Sequence, residues 1–114
     1  MNDEENLLKL EQRLQRLQVV DAELLDSLRE KVVYGSVGEG PFTGILNSHG
    51  SLFVEFLDVM AYHNTSQTGN ASELRELLSR LGPENMEPHI LFTSPRQIYA
   101  KSRIGELTEL NPDE

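Results

Sequence analysis

Leu7, Leu10, Leu14, Leu17, Leu24 and Leu28 recur at heptad spacing over the first quarter of the chain. Such a stripe narrows the options sharply. A helix that carries it has an apolar face that another part of the chain, or another chain, must cover. Read by period, residues 4–33 form one amphipathic helix, and ~30 residues at 1.5 Å each would span ~45 Å. Leu8, Leu25 and Val32 broaden the stripe beyond a two-stranded seam, and Asp21 interrupts it. Asp3, Glu4 and Glu5 stand where the helix dipole favours carboxylates, and Arg29 and Lys31 where it favours cations. The weak point is Val19-Val20-Asp21, where two β-branched residues precede a good N-cap residue. No glycine or proline is available for a reversal there, so the expectation is a continuous or gently kinked helix rather than two helices.

Three glycines and a proline within residues 35–41 end this helix. Their spacing matches neither the dinucleotide fingerprint nor the P-loop, and Glu39 brings the wrong charge for a phosphate. Residues 42–46 read as a strand and Asn47-Ser48-His49-Gly50 as a turn. Residues 51–62 are ambiguous. Ser51, Glu55, Asp58 and Tyr62 would share one helical face, whereas the turn before them and the Phe and Val content favour a strand, which is the expectation taken. Residues 72–81 form a helix with a Leu74, Leu77, Leu78 and Leu81 stripe, opened by Asn70 with Glu73 and closed by Gly82-Pro83. Residues 89–93 and 97–104 read as two strands joined by a bend at Ser94-Pro95-Arg96, although this tripeptide could also cap a helix. The fold class expected is α+β: a long N-terminal amphipathic helix packed on a small antiparallel β-sheet or barrel, with one further helix at about 72–81. One domain over 1–114 is expected, with acidic tails at about 1–5 and 106–114.

The formal net charge is −9, and Asp3, Glu4, Glu5, Glu106, Glu109, Asp113 and Glu114 leave the body between the tails with only −2. There is no cysteine, which removes disulfide frameworks, thiolate metal sites and cysteine nucleophiles. The acidic start does not resemble a secretory leader, and no run approaches the ~18 apolar residues of a membrane span, so a cytoplasmic protein away from membranes is expected. His49, His63 and His89 show no helical ligand spacing, and no metal or cofactor is expected. Glu55 and Asp58 read as a solvated face rather than an acid–base pair. Arg96, Lys101 and Arg103, with Tyr99 interleaved, are the one local basic excess. Three cations on so acidic a chain are too few for strong non-specific nucleic-acid binding.

Lys31-Val32-Val33-Tyr34, then Gly40-Pro41-Phe42-Thr43-Gly44-Ile45-Leu46 and Asn47, then Leu52-Phe53-Val54-Glu55-Phe56-Leu57-Asp58, and finally residues 90–99, follow a suggestive order. Over residues 31–63 and 89–104 the chain resembles the Sm-like small β-barrel proteins. The resemblance implies a helix followed by five strands, and a ring that contacts single-stranded nucleic acid at Asn47, His49 and Arg96, with Lys101 and Arg103 as further cations. The chain departs from that pattern where Ser94-Pro95-Arg96 replaces a late Arg-Gly pair, and where the helix at 72–81 would be an insertion.

The function expected from these residues is a non-catalytic protein-interaction or oligomerising module. It would act through Leu7, Leu10, Leu14, Leu17, Leu24 and Leu28 on a second copy of itself or on another protein. Two alternatives stand beside it: a nucleic-acid-binding Sm-like ring protein, and a small ligand-binding regulator or hydrolase using His63 or His89.

Overall fold

In the computed structural model, which describes residues 20–111, the chain enters the fold at a buried Val20. It then forms one short helix, α1 (Ala22–Leu28). Asp21 has extended backbone (φ −116°, ψ 172°), and its carboxylate accepts the Leu24 N–H at 2.8 Å. This is an N-cap that satisfies a first-turn donor, so α1 begins at Ala22 and no helix continues through Asp21. The helix also ends early. Glu30 is left-handed (φ 67°) and donates its N–H to the Leu46 carbonyl at 2.7 Å. From there Val32-Val33-Tyr34, a run suited to a pleated sheet, starts a strand.

The expected single helix over 4–33 is therefore corrected where the residues are described: residues 20–33 hold a seven-residue helix followed by the start of a strand. Leu24 and Leu28 turn into the protein's own core. Leu7, Leu10, Leu14 and Leu17 lie outside the described residues.

Glu30 carries a Cβ in a conformation where it crowds the backbone. Replacing it with glycine relieves ~1–2 kcal/mol of that crowding against the greater chain entropy glycine loses on folding. Glu30→Gly is expected to raise stability by about 0.5–1 kcal/mol, read as a higher urea midpoint at unchanged slope.

Five strands follow: β1 (Val32–Val37), β2 (Gly40–His49), β3 (Phe53–Tyr62), β4 (Ile90–Ala100) and β5 (Glu106–Glu109). They form one antiparallel sheet in the order β4-β3-β2-β1-β5. The ambiguous segment is thus a strand. The two late strands expected around Ser94-Pro95-Arg96 are one continuous strand. Residues 106–109, expected as part of an acidic tail, pair with β1. Between β3 and β4 stands α2 (Ala71–Leu81), with the Asn70 side chain accepting the Glu73 N–H at 2.9 Å.

The sheet is bent by extra residues. Thr43 pairs with Met60 and Ile45 with Leu57, so β3 holds one residue more than β2 there. Asp58 takes up the excess in a left-handed conformation (φ 49°). Leu46 pairs with Phe56 and Ser48 with Glu55, which makes Asn47 the extra residue of β2. Bulges of this kind strengthen twist and curl.

The curl lets all five strands contribute to one core cluster. Val33, Phe42, Leu46, Val54, Phe56, Val59, Tyr99 and Leu107 meet there, closed by Val20, Leu25 and Leu28 from α1 and its entry. Phe42 and Tyr99 come from strands separated by β3, yet their ring centroids are 4.8 Å apart. In a flat sheet those strands would lie ~9.6 Å apart.

A second cluster occupies the other face, where Ala71, Leu74 and Leu77 of α2 cover Tyr34, Tyr62, Met86 and Leu110. The Tyr34 hydroxyl donates to the Thr68 carbonyl at 2.7 Å. Burial, then the nearby Glu106 and Glu73 carboxylates, pushes its pKa up to about 12, so it remains a neutral donor. The first face is closed by α1, whereas α2 covers the second only in part and leaves Phe53 and Ile98 exposed where β3 meets β4.

Candidate interaction surface

Two of the residues named from the sequence meet. Asn47 is aimed across β2 by its bulge, and its amide donates to Glu55 Oε1 at 2.6 Å. Arg96 on β4 donates from Nε to Glu55 Oε2 at 2.7 Å, with Nη2 2.6 Å from the same oxygen. The Asn47 hydrogen bond, then that from Arg96, holds the Glu55 carboxyl below its usual pKa, so the site carries a fixed carboxylate. Glu55 ties three neighbouring strands together and takes up the donors of both Asn47 and Arg96.

The other named residues stand apart. His49 Nε2 lies 2.7 Å from Asp26 Oδ1, joining the end of β2 to α1. Arg103 pairs with Glu39 in the β1–β2 turn, and Lys101 donates its backbone N–H to the Leu52 carbonyl. The His63 N–H donates to the His89 carbonyl at 2.9 Å, so both histidines flank the same strand junction. Among the described residues no three metal-ligating side chains gather. Glu55 and Asp58 do not serve as a pair: Asp58 is the bulge residue, and Glu55 is engaged with Asn47 and Arg96.

The surface that sequence reasoning missed is the outer edge of β4. This strand has eleven residues, or ~37 Å at 3.4 Å each. All of its pairing is with β3, and it ends the sheet. The hydrogen bond from Lys101 to Leu52 sets the alternation. With Tyr99 opposite Val54 and Gln97 opposite Phe56, the backbone groups of Tyr99 and Gln97 face β3. Those of Arg96, Ile98 and Ala100 face outward.

Pro95 falls opposite the bulged Asp58, where the lack of an N–H costs little. Leu91, Phe92 and Ile98 on this strand are large apolar residues left 40–49% exposed. Leu91 and Phe92 line a shallow cleft with Val37, Pro41 and Tyr99. Leu52 and Phe53 extend the apolar surface beside Ile98. The apolar run Ile90-Leu91-Phe92 is legible in the sequence, but its place on an edge is decided by strand order.

At the opposite edge β5 has four residues and carries Glu106 and Glu109. Glu109 lies 3.7 Å from Lys31 Nζ. No helix among the described residues is long and apolar enough to cross a membrane. No protein-family model matches this chain, and no curated protein matches it by sequence.

Proposed function

We propose that this chain is a non-catalytic self-association module whose copies join edge to edge, the outer side of β4 in one copy pairing with the outer side of β5 in the next. The observation that carries the reading is the eleven-residue edge strand β4. It has outward backbone groups without a strand beside them among the described residues, and exposed Leu91, Phe92 and Ile98. A long edge with apolar side chains is a template for another strand unless something blunts it.

The acceptor is chosen by fit. Residues 96–100 beyond Pro95 offer a stretch of about the length of the four-residue β5. Charge does not oppose the contact: β4 brings Arg96, already held by Glu55, and no acidic residue, while β5 brings Glu106 and Glu109, the latter already beside Lys31. Pairing between two different edges is heterologous and builds rings or filaments rather than a closed two-fold dimer.

Among the described residues, the short α1 followed by five antiparallel strands supports the Sm-like resemblance, and α2, inserted between β3 and β4, departs from it. Nucleic-acid contact is not placed first. Asn47 and Arg96 are both turned onto the Glu55 carboxylate, and Arg103 onto Glu39, so a phosphate would have to displace a carboxylate at each. Leu28 is buried in the protein's own core and Leu24 packs partly against it, and the proposed edge contact uses neither.

Ile98→Pro tests the reading. The Ile98 N–H faces outward, so proline there removes no hydrogen bond within the sheet, and an edge position tolerates it. The full-length wild type is expected to sediment as an oligomer that dissociates on dilution. The variant is expected to keep its far-UV circular dichroism and sediment as a monomer. A wild type that stays monomeric at high concentration, or an Ile98→Pro variant that keeps both its fold and the wild-type mass, refutes edge pairing.

A further inference from the structure

Beside Pro95 the outer edge of β4 carries an unusual pair of hydrogen bonds. The Ser94 hydroxyl donates to the Arg96 carbonyl at 2.6 Å and accepts from the Arg96 N–H at 3.4 Å. By the alternation set at Lys101 and Leu52, these two backbone groups belong to the row that faces outward. An incoming strand would need them: in an antiparallel ladder an outward residue gives both its N–H and its C=O to one partner residue. The side chain of Arg96 is held on the sheet's outer surface by Glu55, so the Ser94 hydroxyl meets the backbone there without competition from the guanidinium.

We infer that Ser94 is an edge guard, a specificity-determining residue that weakens strand addition at β4 by occupying the outward backbone groups of Arg96. This rests on the edge-pairing reading and names the residue that tunes it. Natural edges are blunted by charge, proline and bulges. Here the same purpose is served by a hydroxyl that satisfies the backbone locally, as serine and threonine do in turns. The neighbour Pro95 cannot contribute an N–H on either side. Together the two residues interrupt the outward row, so a strand that docks on residues 96–100 pairs freely at Ile98 and Ala100 and meets the guard at Arg96.

The guard acts by competition. A strand that docks must break the Ser94 hydrogen bonds to Arg96 and replace them, so its net gain at this position is reduced. Removing the hydroxyl leaves the Arg96 N–H and C=O to solvent in the free protein, and both then gain a partner on docking. A hydrogen bond is worth a modest net amount, so Ser94→Ala is expected to tighten self-association about tenfold. Ser94→Thr keeps a hydroxyl and is expected to stay near the wild-type value.

The experiment has two arms, both on the full chain. Amide hydrogen exchange, read by NMR at a concentration where the protein is monomeric, compares Arg96 with Ile98. In the wild type the Arg96 amide is expected to exchange several-fold more slowly than that of Ile98. In Ser94→Ala that difference is expected to vanish, while the remaining amides of β3 and β4 keep their rates. Sedimentation of wild type, Ser94→Ala and Ser94→Thr then gives the association constants.

Unchanged Arg96 exchange in Ser94→Ala overturns the guard whatever the masses show. Faster exchange with unchanged or weaker association also overturns it, because the hydroxyl would then be a local hydrogen bond without bearing on docking. If wild type and Ser94→Ala both remain monomeric at high concentration, edge pairing itself fails and the guard falls with it. If the wild type associates but Ser94→Ala does not associate more tightly, edge pairing stands and only the guard is lost.

Discussion

Gly35→Ala is expected to destabilise the protein by about 3 kcal/mol, at the upper end of the usual cost of overpacking a core. A Cβ on Gly35 would lie 2.5 Å from Phe42 Cζ and 2.6 Å from Phe42 Cε1, with Leu107 Cδ1 at 3.2 Å. Those distances are well inside contact, so something must move. The Phe42 ring is the object in the way, and two aromatic neighbours resist its retreat. It is fully buried, edge-on to Phe56 at 5.0 Å between centroids and tilted against Tyr99 at 4.8 Å. Shifting it disturbs the aromatic group that joins β2, β3 and β4, and close-packed interiors transmit such strain rather than absorb it. Gly35 and Phe42 are also paired across β1 and β2, so the backbone can separate only by breaking the ladder. Gly50 is the control, because a Cβ there meets nothing within 4 Å. Gly50→Ala should change stability by no more than ~0.5 kcal/mol. Urea unfolding of the two variants checks the contrast, and near-equal effects would show that the Phe42 ring has freedom the packing denies it.

The same bends that build the core explain which parts of the fold were legible in the sequence. Helix α2 could be read because every local signal agreed: its leucine stripe, Asn70 at the start and Gly82 at the end. The segment 51–62 hid its strand because the left-handed residue Asp58 interrupts the period of two. Val54 and Phe56 face the core, then Val59 and Ala61 do so after a step of three. That step puts Glu55 and Asp58 away from the core at a spacing that imitates a helix.

Pro95 read as a bend for a related reason. Its tolerance within a strand depends on the bulge opposite, which is set by register and not by local sequence. The acidic count of residues 106–114 masked Leu107 and Leu110, whose burial on the two sides of the sheet makes residues 106–110 structural. For the site, Asn47 and Arg96 were named as candidates, but Glu55 as their meeting point was not. Their convergence depends on the extra residue in β2 and on the β3–β4 register, both properties of distant pairing. The exposed edge of β4 depends on strand order, which no local pattern encodes.

The leucine stripe provides the other large effect. Leu25→Ala is expected to cost about 3 kcal/mol, within the 2–5 kcal/mol typical of emptying a fully buried leucine site. Heptad counting assigns Leu24 and Leu28 to the seam and leaves Leu25 beside it. The structure reverses the first pair: Leu25 is completely buried among the residues that close the core, whereas Leu24 is only partly buried against it. The cause is the start of the helix. Capping by Asp21 fixes where the first turn begins, and the burial of Val20 just before it turns the Leu25 and Leu28 side down onto the sheet. Leu24→Ala removes a side chain that has already kept part of its contact with water, so its cost is expected to stay below ~1.5 kcal/mol.

The comparison separates two physical situations. If α1 closes the protein's own core, Leu25→Ala lowers the urea midpoint far more than Leu24→Ala, and neither alters the sedimentation of the folded protein. If instead the heptad positions face another chain, Leu24→Ala reduces the oligomer mass while Leu25→Ala leaves it unchanged. An equal loss of stability from both substitutions would mean that α1 is rotated from the orientation in which Leu25 fills the core and Asp26 meets His49.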